Sequence, residues 1–231
     1  MRKMYQIFLT LVSIGFALPQ GLVGGASKAA QNVCRQTMNT PAVKLLVNPG
    51  KIVISNALSQ NRLRRLQGTG TSVRRAKGWR PVGLTLTELN FNMNVRVNAL
   101  PTTDNRYCGY PESVNANVGY DLLKIYVARK YHPKTCQYMS ILQHEKAHVL
   151  VFRRLLDRYA PRIERRLTKV AHGIRPFNAA TPQGAVTQIK EELQRAVQPL
   201  FRQFNLELDI ANAKLDTPQN YRAEQARCSN W

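Results

Sequence analysis

Apolar residues follow two different periods along this chain, one in each half. From Leu84 to Ala99 they alternate: Leu84 and Leu86, then Leu89, Phe91, Met93, Val95, Val97 and Ala99. A period of two places them on one face of a strand. The phase slips by one residue between Leu86 and Leu89, which predicts a β-bulge near Thr87-Glu88. Val43–Val47 and Lys51–Ser55 flank Asn48-Pro49-Gly50 and read as a β-hairpin around a compact turn. Val118–Arg129 carries Leu123, Ile125 and Val127 on one face and Tyr120, Leu122, Tyr126 and Ala128 on the other. A strand apolar on both faces belongs well inside a sheet or under helices. Between these segments, Ala57–Gln67 reads as a short basic helix or a loop. Gly68-Thr69-Gly70-Thr71-Ser72 reads as a mobile surface loop, and Pro101–Pro111 as a turn-rich connection.

Beyond His132-Pro133 the period lengthens to that of a helix. One helix is expected to begin near Lys134–Tyr138, to pass Pro161 with a kink or a break, and to end by Gly173 and Pro176. Thr181-Pro182 supplies a cap and a first-turn proline for a second long helix. Val186, Ile189, Leu193, Val197, Leu200 and Phe204 mark its buried face, and Pro199 is expected to bend it. A polar stretch after Leu215 closes the chain. Strands followed by helices predict an α+β domain, a β-rich N-terminal half packed against a C-terminal pair of long helices.

The first of these helices carries the chemistry. His144-Glu145-Lys146-Ala147-His148 is an H-E-x-x-H box. Residues four apart lie one above the other on a helix, so both imidazoles can reach one ion, with Glu145 beside that line. At 100° per residue, Ile141, His144, Glu145, His148, Val151, Phe152, Leu155, Leu156 and Tyr159 form one stripe, which is expected to face inward. Gln143, Lys146, Arg153, Arg154, Asp157 and Arg158 form the other. Three ionisable groups on a buried stripe cost several kcal/mol each unless something pairs with them, and one bound cation would satisfy both imidazoles. Two neutral His nitrogens beside a carboxylate suit Zn2+ and the hydrolysis of peptides.

A catalytic zinc takes a third protein ligand. Position 154 is Arg, so the histidine of the longer zinc-protease motif is missing. Asp157 lies about 13 Å further along the helix axis, and His172 about 36 Å away if the helix is continuous. An antiparallel second helix would return the chain to the box around Phe204–Leu215, bringing Glu207, Asp209, Asp216 and Tyr221 into range. Asp216 and Tyr221 are the first two to test.

Composition adds compartment and partners. Arg2 and Lys3, an apolar run over Ile7–Leu18 and the small residues Gly24-Gly25-Ala26 read as a secretory signal over residues 1–26. That leaves one domain over 27–231 and a periplasmic or secreted protein. The four cysteines, Cys34, Cys108, Cys136 and Cys228, fit an oxidising compartment and allow three pairings. Cys108–Cys136 with Cys34–Cys228 is preferred. The formal net charge is +21. It concentrates in Arg62, Arg64, Arg65, Arg74, Arg75, Lys77 and Arg80, and again in Arg153, Arg154, Arg158, Arg162, Arg165, Arg166 and Lys169. For an exported protein this fits either attraction to anionic lipid headgroups or cell-wall polymer or a solvated, highly soluble face, and points away from a specific nucleic acid.

The order of these features resembles a bacterial family of predicted secreted zinc-dependent proteases, uncharacterised and zincin-like. The family has an export signal, a β-rich first half, a helix with H-E-x-x-H, a second long helix, and a tail Tyr-Asp-x-x-Thr-x-His-Gly ending near a Trp. The tail here is Leu215-Asp216-Thr217-Pro218-Gln219-Asn220-Tyr221-Arg222, followed by Gln225 and Trp231. Asp216 falls on the family Asp, but Tyr221 stands where the family has His. The resemblance implies a zinc metallopeptidase with His144 and His148 as ligands and Asp216 or Tyr221 replacing the family histidine. Glu145 is expected to act as general base and Tyr221 to donate a hydrogen bond to the oxyanion. A peptide or protein substrate is expected to add to the edge of the strand preceding the helix. The competing expectation is a non-catalytic basic envelope protein that binds anionic lipid or wall polymer on a degenerate zincin scaffold.

Overall fold

The computed structural model describes residues 39–67 and 81–231. The expected signal segment, Cys34, the Gly68–Ser72 loop and the cations at Arg74, Arg75, Lys77 and Arg80 all lie outside the described residues. The chain forms β1 (Ala42–Ser55), α1 (Gln60–Gln67), β2 (Gly83–Pro101), β3 (Tyr107–Val127), α2 (Cys136–Gly173), β4 (Phe177–Ala179), α3 (Pro182–Leu215) and α4 (Pro218–Gln225). The architecture is α+β, with a four-stranded sheet followed by two long helices.

β3 is the centre of the sheet. β2 pairs with it antiparallel, from Gly83↔Val127 to Pro101↔Tyr107. β1 pairs with its other side parallel, from Ala42↔Ser113 to Ser55↔Tyr126, and β4 takes the remaining positions Tyr107 to Gly109. The register of β2 shifts between Thr87 and Leu89, where the phase slip predicts a bulge. β3 changes phase opposite it: Val114, Ala116, Val118 and Tyr120 are buried, then Leu123, Ile125 and Val127. β3 is therefore the interior strand its two apolar faces predict. It has no free edge, so a peptide cannot add to it as expected. Among the described residues, the outer edges of the sheet belong to β1 and β2.

The hairpin at Asn48-Pro49-Gly50 does not form. β1 continues through these residues, and its two halves pair with β3 in one register. The turn residues make a kink instead of a reversal. Gly50 takes φ +78°, and Gly119 opposite takes φ +147°, where a Cβ would lie 2.0 Å from the Asn48 carbonyl oxygen. Only glycine allows that approach. Arg153 of α2 donates to the Pro49 and Gly50 carbonyls at 3.1 and 2.6 Å, tying the kink to the helix.

Phe91, Met93 and Val95 of β2 and Val114, Ala116 and Val118 of β3 share one core with α2 and α3. α1 buries Leu63 against Leu84 and Ala128 in a second, small cluster. α2 starts at the Thr135 cap, whose side chain accepts from the Tyr138 N–H, and continues through Pro161 without a break. The predicted stripe is buried, apart from a half-buried Val151. α3 starts at Thr181 and Pro182 as expected and buries Ile189, Leu193, Val197 and Phe204.

Cys136 is bonded to Cys228, which excludes both preferred pairings. Cys136 opens α2 at the end to which the tail returns. Cys108 begins β3, whose Gly109 packs on Ala185 at the start of α3, at the opposite end of the long helices. No described helix is long and apolar enough to cross a membrane.

Candidate metal centre

Two turns into α2 the amphipathic stripe carries His144, Glu145 and His148, all buried. α3 runs back along α2 and ends at Asp216, whose own N–H bonds to the Asn212 carbonyl as the helix cap. That cap delivers its carboxylate onto the box. His144 Nε2 lies 3.2 Å from Asp216 Oδ1 and 3.2 Å from His148 Nε2; His148 Nε2 lies 3.4 Å from the same oxygen. Tetrahedral zinc with bonds near 2.0–2.1 Å sets its ligand atoms roughly 3.3–3.4 Å apart. The triangle has the dimensions of one face of that tetrahedron. His144, His148 and Asp216 together can hold a metal ion.

The groups behind the triangle point it the right way. His144 Nδ1 donates to Glu224 Oε1 at 2.9 Å, and His148 Nδ1 donates to Asn212 Oδ1 at 2.9 Å. With the proton held on Nδ1 in each ring, both Nε2 lone pairs face the carboxylate oxygen. Three acceptor atoms then meet, with Oδ1 also accepting from the Tyr221 hydroxyl, an arrangement that favours a cation or a proton among them. Burial opposes the imidazolium, yet the hydrogen bond with Asp216 and the charges of Glu145 and Glu224 outweigh it and push His144 up to about 9. His148 also shifts up against its burial, through Asp216, Glu145 and Asn212. Burial raises Asp216, but its bonds to the two imidazoles and to Tyr221 hold it well below the usual carboxylate range.

Glu145 faces β2. Thr85 Oγ1 donates to its Oε2 at 2.7 Å. Gly83 makes room for its Oε1, because a Cβ there would lie 2.4 Å away. Burial pushes the carboxyl up, while the nearby imidazoles and Thr85 pull it down. The result is a carboxyl closer to neutrality than a free glutamate, as proton transfer near pH 7 requires.

Of the sequence-predicted residues, His144, His148 and Asp216 converge and Glu145 stands beside them. Tyr221 arrives on α4 with its ring 5.1 Å from that of His144, and its hydroxyl donates to Asp216 Oδ1 at 2.5 Å. It orients the candidate ligand. Glu207 is engaged lower down, accepting from Tyr159 at 2.7 Å and pairing with Arg158 at 3.1 Å. Asp209 is not part of the cluster. Glu224, Asn212, Thr85 and Gly83 are contributors that the sequence reading missed. Asn212 offered one signal, since it lies a single helical turn before Asp216. The others come from segments whose approach to the box follows from tertiary structure alone.

No protein-family model matches the chain, and neither a curated protein nor a solved structure matches it.

Proposed function

We propose that this chain is a metal-dependent hydrolase and, more narrowly, an exported zinc metallopeptidase. The triangle of His144, His148 and Asp216 with a buried Glu145 beside it, its carboxyl pushed up by burial, carries the reading. Bound zinc would supply Lewis acidity, acidifying water and polarising a carbonyl. Glu145 takes the proton from the attacking water and passes it to the departing amine. Thr85 anchors Oε2 of that carboxylate. Tyr221 can assist a developing oxyanion by giving up its bond to Asp216; with that bond in place it holds the ligand instead. The outer edge of β2 starts at Gly83 and Thr85, against Glu145. It is the sheet edge able to hold an extended peptide beside the box. Export rests on the N-terminal signal pattern, and the disulfide suits an oxidising compartment.

The test is zinc content and activity in protein purified without a His-tag. One zinc per chain is expected, with peptidase activity that Glu145→Gln removes by 10²-fold or more while zinc stays bound. A zinc-loaded protein whose Glu145→Gln variant cleaves as fast would overturn the assignment.

One observation favours a second reading, a basic protein that binds anionic lipid or wall polymer. Arg154, Arg158, Arg162, Arg165 and Lys169 line one side of α2 over roughly 22 Å, and all but the half-buried Arg162 are exposed. No zinc uptake, together with salt-sensitive adsorption to anionic vesicles, would favour it.

A further inference from the structure

α4 brings Tyr221 and Glu224 to the site, yet none of its residues is buried. Hydrophobic burial therefore does not hold it down. Asn220 and Tyr221 tie its first turn to the end of α3, and the attachments of its C-terminal end and of the tail fall along the first turns of α2 or just before them. Ser140 Oγ donates to the Glu224 carbonyl at 3.3 Å. Gln137 Nε2 donates to the Ser229 carbonyl at 3.0 Å and also to that of Asn230. The Trp231 ring meets Tyr131 edge-on at 6.0 Å. Partly exposed polar contacts of this kind contribute little net stability each. The Cys136–Cys228 bond is the one covalent fastener in the group, and it closes a separation of 92 residues. The end of α3 places the Asp216 backbone, and Tyr221 in the first turn of α4 orients its carboxylate.

We propose that Glu224 is the positioning residue of His144, and that the Cys136–Cys228 disulfide keeps it there, so the affinity of the centre for its ion depends on that bond. The inference rests on the metal reading above. Opening the bond leaves the three ligands on α2 and α3 and frees the C-terminal end of α4, which carries Glu224, while its first turn stays tied to the end of α3 through Asn220 and Tyr221. His144 then loses the carboxylate that holds its proton on Nδ1 and its Nε2 toward the ion. Loss of such a partner weakens metal sites by about 10- to 100-fold without removing them.

Zinc affinity is measured by chelator competition on the full chain, for the wild type and four variants. Glu224→Ala is expected to bind about 10- to 100-fold more weakly. Glu224→Gln keeps an oxygen that accepts from Nδ1 and retains most of the affinity. Cys136→Ser/Cys228→Ser, which introduces no thiols to bind zinc, falls about as far as Glu224→Ala. Adding Glu224→Ala to the serine pair causes little further loss, because both act through one contact. With cobalt as probe, the tetrahedral visible bands persist in Glu224→Gln. The proposal is overturned if Glu224→Ala binds like the wild type, if Glu224→Gln falls as far as Glu224→Ala, or if the two losses multiply. Failure of the wild type itself to bind zinc overturns the metal reading beneath it, and that arm is read before any variant is compared.

Discussion

His144, His148 and Asp216 sit where two lone pairs and a carboxylate oxygen converge, and the occupant of that point decides how the protein responds to pH. Without metal, the upward shift of both imidazoles favours a proton there. A His144 raised from 6.5 to about 9 adds stability below pH 6.5 and loses it as the pH climbs through 9. Asp216, held low, adds stability above the ordinary carboxylate range and loses it as acid protonates it. Metal-free protein should therefore lose on the order of 2–3 kcal/mol between pH 6.5 and 9. Zinc needs the same nitrogens deprotonated, so its affinity should rise over that interval. Melting temperatures with and without zinc are expected to diverge steadily from pH 6.5 to 9. A metal-free melting temperature that is flat across this range would contradict the proton-held triad. His144, Glu145 and His148 were legible from spacing alone, because a helix places residues four apart on one line. Asp216 was legible once the second helix was folded back along the first. Glu224 and Asn212 were not, since neither residue type carries a pattern until tertiary structure sets it behind an imidazole.

Among the elements, the regular periods were read correctly where local preference and tertiary packing agree. The bulge of β2, the span of α2 and the cap of α3 all follow from alternation, stripe and Thr-Pro chemistry. Asn48-Pro49-Gly50 is the opposite case. Turn chemistry there favours a reversal, but the long side of β3 offers both flanking segments partners in one register, and ladder formation prevails. A parallel pairing between segments some 70 residues apart leaves no mark on either one. The cost of accommodating the turn residues falls on Gly119, whose missing Cβ lets the Asn48 carbonyl pass. Gly119→Ala should destabilise the protein by about 3 kcal/mol in urea unfolding, through both φ and the close contact. Gly173→Ala, where nothing lies within 4 Å of the added carbon, serves as the control and should cost nothing. Equal behaviour of the two would show that β1 and β3 do not cross so closely.

At the scale of the whole molecule, a sheet and two long helices enclose a small polar centre that the tail reaches. The disulfide could not be chosen from cysteine spacing, because it depends on which end of the helical pair the tail reaches. The charge of +21 governs what the surface attracts and is separate from the chemistry of the box. A crystal of zinc-loaded protein, with the ion located by its anomalous scattering, tests most directly whether one ion is held by one residue from the end of α3 and two from α2. A single buried zinc is expected about 2.0–2.2 Å from His144 Nε2, His148 Nε2 and a carboxylate oxygen of Asp216. Zinc found elsewhere, or the three side chains unchanged and without an ion at saturating zinc, would contradict it.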